Sequence, residues 1–385
     1  MFADRTSWNL AQNRLAAALD RSRATGEPII DLTVSNPTEC GFSYPIQGIL
    51  AALADPDALT YDPQPKGLLS AREAVAGYYA ARGDAVPPDN LILTTSTSEA
   101  YSFVFRLLCN PGDEILVPTP SYPLFELLAD IQDVRLIRYP LLYDHGWQID
   151  FHALQTAVTN RSRGIIVVHP NNPTGHFARS GEVANLNQLA AARDLAIIAD
   201  EVFLDFSLAA EPRSSFVANR PVLTFTMSGV SKICGLPQMK VAWLVASGPD
   251  QVKTDALARL ELIADTYLSM NAPTQHAISA LLESRDGFHQ QLMARVRNNL
   301  AQLDRALSMH PSVIRLAIEG GWYAVLRVPA TRSDEEIALE LLESKGAYVH
   351  PGHFYDFPSE GHLVVSLIAR EHEFAEGVKA VLSGF

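Results

Sequence analysis

From about residue 68 to 247 the chain alternates short apolar runs with helical patterns, and that alternation narrows the fold more than any other feature. The runs expected as strands are 91–95, 114–118, 134–139, 164–169, 195–199, 222–227 and 241–246. Between them, 68–82 and 98–109 read as helices. Such alternation predicts an α/β fold with a mainly parallel sheet covered by helices on both faces. Ligands of such sheets bind outside the carboxyl ends of the strands.

Beyond the alternating region the pattern changes. Residues 250–286 are helical but loosened near Asn271-Ala272-Pro273, and a second helix is expected over about 289–308. Strands are expected within 314–326 around Gly320-Gly321 and over 363–367, with helices over 333–345 and 373–382. A chain of 385 residues is too long for one simple core, so two domains are expected. The division read here is a large domain over 46–275 and a smaller α+β domain over 276–385, with 1–45 belonging to the smaller one.

The net charge of −13 argues against nucleic acid and anionic membrane as partners. Cys40, Cys109 and Cys234 show no paired spacing, which suits reduced thiols and a cytoplasmic setting. The start, Met1-Phe2-Ala3-Asp4-Arg5, lacks the apolar core of a signal peptide, and no apolar run approaches membrane-spanning length. The histidines show neither a His-Glu-x-x-His nor a Cys-x-x-Cys arrangement, so no metal site is expected.

The chemistry-bearing residues sit at predicted strand ends. Lys232 lies in Ser228-Gly229-Val230-Ser231-Lys232, directly after an apolar run; a desolvated amine there loses its proton readily and becomes a nucleophile. Ser96 and Thr97 link a strand to a helix, a junction that caps the helix or binds a phosphate. Tyr122, in Pro120-Ser121-Tyr122-Pro123, is placed to stack on a planar ring or to pack half-buried. Asn172 stands in a Pro-Thr-Gly turn. Asp200 ends an apolar strand, where a buried carboxylate needs a cationic partner or serves as a helix cap. Asn172 and Asp200 are 28 residues apart, and Asp200 and Lys232 are 32 apart. Each interval is about one strand–helix–strand unit, so the three are expected to meet at one rim.

With these residues in order, the chain resembles the fold-type I pyridoxal-phosphate enzymes, specifically the class I/II aminotransferases. The resemblance runs from about Ile30 to Gly384. It is carried by Ser35-Asn36-Pro37-Thr38, Tyr61 with Gly67 and Arg72, and Pro111-Gly112-Asp113-Glu114. Asn172-Pro173-Thr174-Gly175, Asp200-Glu201-Val202, Ser231-Lys232 and His350-Pro351-Gly352 complete it. It implies a seven-stranded type of sheet in the large domain and pyridoxal 5′-phosphate held covalently by Lys232. Asp200 would pair with the pyridine nitrogen, Asn172 would hydrogen-bond the ring O3′, Tyr122 would stack on the ring, and Ser96 and Thr97 would bind the phosphate. Tyr61 would reach the phosphate site of a neighbouring subunit, which implies a homodimer.

Four positions depart from the family pattern. Phe203 occupies a position that often holds a tyrosine donating to O3′, so the cofactor imine is expected to keep its proton to higher pH. Lys240 replaces an arginine on the phosphate, keeping charge without the bidentate fork. Gly229 stands where relatives often carry serine, leaving Ser228 or Ser231 to supply that hydroxyl. Most consequential, Val364 falls where the family's substrate-carboxylate arginine is expected. Either another donor holds the carboxylate (Asn36, Asn172, His353, Tyr355 or Arg370), or the amino donor is not a simple α-amino acid.

The resemblance implies a transaminase that runs a ping-pong cycle between an amino donor and a 2-oxo acid. A second reading is a β-eliminating C–S lyase on the same scaffold. A third is a non-catalytic cofactor-sensing protein, which would carry a fused DNA-binding domain; no such domain is expected here.

Overall fold

The computed structural model describes residues 1–210, 213–268 and 270–385. Near the N-terminus, β1 (Ile30–Asp31) follows a helix over Arg14–Thr25. Then come β2 (Leu91–Thr94), β3 (Glu114–Thr119), β4 (Arg135–Tyr143), β5 (Trp147–Ile149), β6 (Ser162–Val168), β7 (Ala196–Asp200), β8 (Thr224–Gly229) and β9 (Ala242–Ser247). These eight form one sheet in the order β2-β9-β8-β7-β6-β3-β4-β5. Pairings β4-β3, β3-β6, β6-β7 and β7-β8 are parallel, while β9 runs antiparallel to both β8 and β2. Two antiparallel steps restore direction, so β2 points the same way as β8.

All seven strands expected in the alternating region are present, with ends shifted by a few residues. The eighth, β5, was not expected. It is a three-residue run folded back on β4 through Asp144–Gly146, with His145 at φ 51°. A segment that short leaves no alternation to read. The continuous helical stretch after 250 is two helices, Asp250–Tyr267 and Ala272–Glu283. Asn271 ends the continuity by capping the second helix, its side chain accepting from Thr274 N at 3.1 Å, with Pro273 in the first turn.

The remaining strands are β10 (Ile314–Arg315), β11 (Tyr323–Arg327), β12 (Ala347–Tyr348), β13 (His350–Pro351) and β14 (His362–Ser366). Four of them make an antiparallel sheet in the order β10-β11-β14-β13. β1 pairs parallel with β12, and Ser366 N donates to Leu32 O at 2.6 Å, so the N-terminal stretch is hydrogen-bonded into this C-terminal region.

Alternate residues of the large sheet face opposite cores, as the two-residue strand period requires. Ile165, Val167, Ile197 and Ala199 pack in a cluster that continues into Val325, Leu326, Val364 and Val365 of the small sheet. Their neighbours Ile166, Val168 and Ile198 pack on the other face against Phe103, Val104 and Leu260 of two covering helices. Each such aliphatic side chain contributes roughly 1.5–3 kcal/mol on burial. The central strands are therefore clamped from both sides, and the loops leaving their carboxyl ends start from fixed points. Among the described residues, no helix is long and apolar enough to cross a membrane.

Candidate active site

Strand register fixes which residues meet. Asp200, the last residue of β7, lies level with Val168 on β6 and Met227 on β8. The chain leaves β6 toward Asn172 and β8 toward Lys232, so all three residues emerge at one rim. β2 and β3 end at the same rim, releasing Ser96 and Tyr122 there.

Lys232 sits in a four-residue helical turn, Val230–Ile233, immediately after β8. Its Nζ lies 4.8 Å from the Trp322 ring centroid and 5.7 Å from that of Phe203. Burial pushes its amine down from 10.5 to about 8, against the upward pull of Asp200. Asp200 is buried. Burial raises its carboxyl to about 6, opposed by hydrogen bonds from Val202 N (3.2 Å) and Tyr101 Oη (3.1 Å) and by the charge of Lys232. Two groups of opposite charge thus face each other in a desolvated, aromatic pocket.

Asn172 is 8 % exposed, and its buried Oδ1 has no hydrogen-bond partner among the described residues. Ser96 caps the helix Thr97–Leu108, accepting from Glu99 N at 3.1 Å, while Glu99 accepts from Thr95 N at 2.7 Å. The cap role read for Ser96 is therefore present, and the first free N–H groups begin at Thr97. The Tyr122 hydroxyl is raised to about 12 by burial and by the charge of Asp200, while its ring stands edge-on to Phe125 at 5.8 Å. Phe203 packs edge-on against Trp322 at 4.8 Å.

Ser228 is buried and its hydroxyl donates to Glu201 O at 3.3 Å, whereas Ser231 is half-buried. Several expected residues stand apart. Lys240 is exposed at φ 54°, and Tyr61 is 78 % exposed beside Thr60 and Asp62. Asn36 turns its side chain onto its own loop, accepting from Thr38 N and Oγ1 at 3.2 and 2.7 Å. His353 is exposed against Phe354, and Arg370 is exposed beside Gly41. Tyr355, another candidate, is buried and engages His350 Nδ1 at 3.0 Å. Among the described residues, none of these hydrogen-bonds or ion-pairs with Lys232 or Asp200.

Tyr101 escaped sequence reasoning. It lies one turn into the helix that begins at Thr97, and only its hydroxyl on Asp200 Oδ2 at 3.1 Å marks it as part of the site.

The residue set fits pyridoxal phosphate: a desolvated amine, a buried carboxylate to face a ring nitrogen, a buried asparagine amide and a free helix N-terminus. Comparison with known proteins agrees. Residues 27–375 match the family model for aminotransferase class I and II. The chain is 28% identical over 376 residues to the alanine aminotransferase of Mycobacterium tuberculosis, covering 93% of this chain and 86% of that protein. It is 26% identical over 362 residues to the glutamate–pyruvate aminotransferase of Escherichia coli, covering 91% and 88%. In fold it superposes on the alanine aminotransferase of Pyrococcus furiosus with a TM-score of 0.91 at 21% identity, covering 100% and 99% of the two chains. The chain belongs to the class I and II aminotransferases, a pyridoxal-phosphate-dependent family, and is a transaminase.

Proposed function

We propose that this transaminase moves an amino group from an α-amino acid to a 2-oxo acid, with alanine or glutamate as donor and pyruvate among the acceptors. The names of the relatives support that substrate class. We assign pyridoxal 5′-phosphate as cofactor, held by Lys232, Asp200, Asn172, Ser96, Thr97 and Tyr122, with Phe203, Ser228, Ser231 and Lys240 around them. When bound, it supplies an electron sink for charge at the substrate α-carbon.

The observation that carries the proposal is the amine of Lys232, lowered to about 8 beside Asp200. At pH 7.5 about a quarter of such amines are neutral, against roughly one in a thousand for a solvated lysine. The neutral amine takes the α-proton from the substrate and later returns it. Asp200 holds its negative charge fixed beneath the site, oriented by Tyr101 and Val202 N. Asn172 adds a buried amide whose Oδ1 has no hydrogen-bond partner among the described residues.

The exposure of Tyr61 supports a homodimer in which this residue reaches the neighbouring site. Residues 276–385 with 1–45 form the smaller domain in this reading, 46–275 the larger, and the protein is cytoplasmic.

The test is to mix cofactor-loaded protein with L-alanine or L-glutamate and no acceptor. A transaminase releases one equivalent of 2-oxo acid per site and stops. Continuous release of pyruvate and ammonia identifies a lyase, and no release from any amino acid leaves a binding protein.

A further inference from the structure

The segment Phe203-Leu204-Asp205-Phe206 leaves β7 through two tight turns. Leu204 N donates to Glu201 O and Phe206 N to Phe203 O, each at 3.0 Å. Neither a strand nor a helix fixes where its side chains go. Phe203 and Phe206 are nevertheless buried. The Phe203 ring lies 5.7 Å from Lys232 Nζ and stands edge-on to Trp322 at 4.8 Å, and Phe206 lies against the same indole at 5.4 Å. These rings wall the amine off from water.

Between the two phenylalanines, Asp205 is held by other elements. Its carboxylate is ion-paired with Arg82 and accepts from Tyr78 Oη at 3.0 Å. Tyr78 lies on the helix Leu69–Ala81, and Arg82 is its C-cap. The Asp205 carbonyl accepts from His289 Nε2 at 2.9 Å, and that imidazole, on the helix Arg285–Leu307, stacks on Phe206 at 5.9 Å. The ion pair is largely withdrawn from water, its side chains being 16 % and 12 % exposed. A pair so placed adds little net stability over apolar residues of the same volume. What it does fix is geometry, because a carboxylate held by a guanidinium and a phenol has few other positions to take.

We propose that Asp205 is a positioning residue for the reaction: anchored by Arg82 and Tyr78, it sets Phe203 and Phe206 against Trp322 and so keeps water from the Lys232 amine. This rests on Lys232 being the amine that moves the α-proton. Asp205 acts through the rings and not through its own charge, since burial and the charge of Asp200 are what act on the amine.

The experiment compares Asp205→Asn with the wild type in two assays on the full chain. Asparagine keeps the size and the acceptor for Tyr78 but leaves Arg82 without its counter-ion, which frees the segment. In competitive acetylation of cofactor-free protein, the Lys232 midpoint rises from about 8 by about one pH unit, toward the solvated value. The second assay is the single half-reaction of cofactor-loaded protein with L-alanine. There the limiting rate falls about 5- to 10-fold at pH 7.5 and returns to within about 2-fold of the wild type at pH 9.5. The half-saturating concentration stays within about 2-fold, because Asp205 does not face the substrate. Asp205→Glu, which keeps the charge, recovers most of the wild-type midpoint. Tyr78→Phe removes a single oxygen and serves where Asp205→Asn folds poorly; it moves the midpoint the same way by about 0.3 unit. A wild-type midpoint in both Asp205→Asn and Tyr78→Phe overturns the proposal. So does a rate lowered by the same factor at every pH, which is what loss of folded protein alone produces. Because acetylation needs no turnover, failure of the transaminase reading shows separately, as absence of 2-oxo acid from the wild type.

Discussion

Replacing Asp200 by Asn removes the one charge, among the described residues, that holds a proton on Lys232. Burial and Asp200 act on the amine in opposite directions, burial lowering it and the carboxylate raising it, with a net position at about 8. Loss of the carboxylate leaves burial unopposed, so the amine falls further. An opposite charge at this range is worth about one pH unit or more, which moves the midpoint from about 8 toward 7. At pH 7.5 the neutral fraction then rises from about a quarter to about three quarters. Competitive acetylation of cofactor-free protein, read by mass spectrometry on the peptide containing Lys232, gives the titration midpoint directly. The wild type is expected to titrate near 8 and Asp200→Asn below it. A wild-type midpoint near 10.5 refutes the desolvation argument, and a variant midpoint at or above the wild type refutes the pairing. The variant also loses transamination despite its more nucleophilic lysine, because the ring nitrogen loses its counter-charge.

Three further outcomes are expected. Phe203→Tyr places a hydroxyl close to Lys232, and one hydrogen bond to an anion lowers the pH at which the loaded protein's visible absorbance changes by about one unit, read by spectrophotometric titration. Glu201 is buried, accepts from Phe216 N and Ser215 Oγ at 2.6 Å each, and is raised by burial from 4.5 to about 8. Its folded form keeps a proton the unfolded form releases, so its contribution is complete below pH 4.5 and is lost toward pH 8, by up to about 1.4 kcal/mol per unit. Urea midpoints of cofactor-free protein should fall between pH 6 and 8, and Glu201→Gln should flatten that fall. Gly175 has φ 73°, and a Cβ there would stand 2.5 Å from Gly320 O and 2.7 Å from Ile318 Cγ1; Gly175→Ala is expected to cost about 1–3 kcal/mol, measured as a lowered melting temperature.

The sequence shows the large sheet through its apolar runs, because strands buried on both faces need them. Asp200 and Lys232 stand out for the same reason: a charge at the end of such a run has few bland explanations. Asn172 is legible by its spacing from them. Tyr101 is not, since inside a helix it looks like any core aromatic until its hydroxyl is seen on Asp200. Trp322 sits ninety residues beyond Lys232, and only the return of the small sheet over the large one brings their side chains together. The strands β1, β12 and β13, of two residues each, carry no periodicity to read.

Where the two sheets meet at the site, Gly175 and Gly320 bring main chain against main chain, with Ser207 bridging to Gly320 and Gly321 N donating to Phe206 O at 2.8 Å. Neither residue has a side chain to lengthen or shorten. The gap between the loop bearing Asn172 and the loop bearing Trp322 is consequently a constant of the architecture. Exchanges of the residues lining the cleft can alter what it admits, yet its width at this point stays where two hydrogen atoms set it.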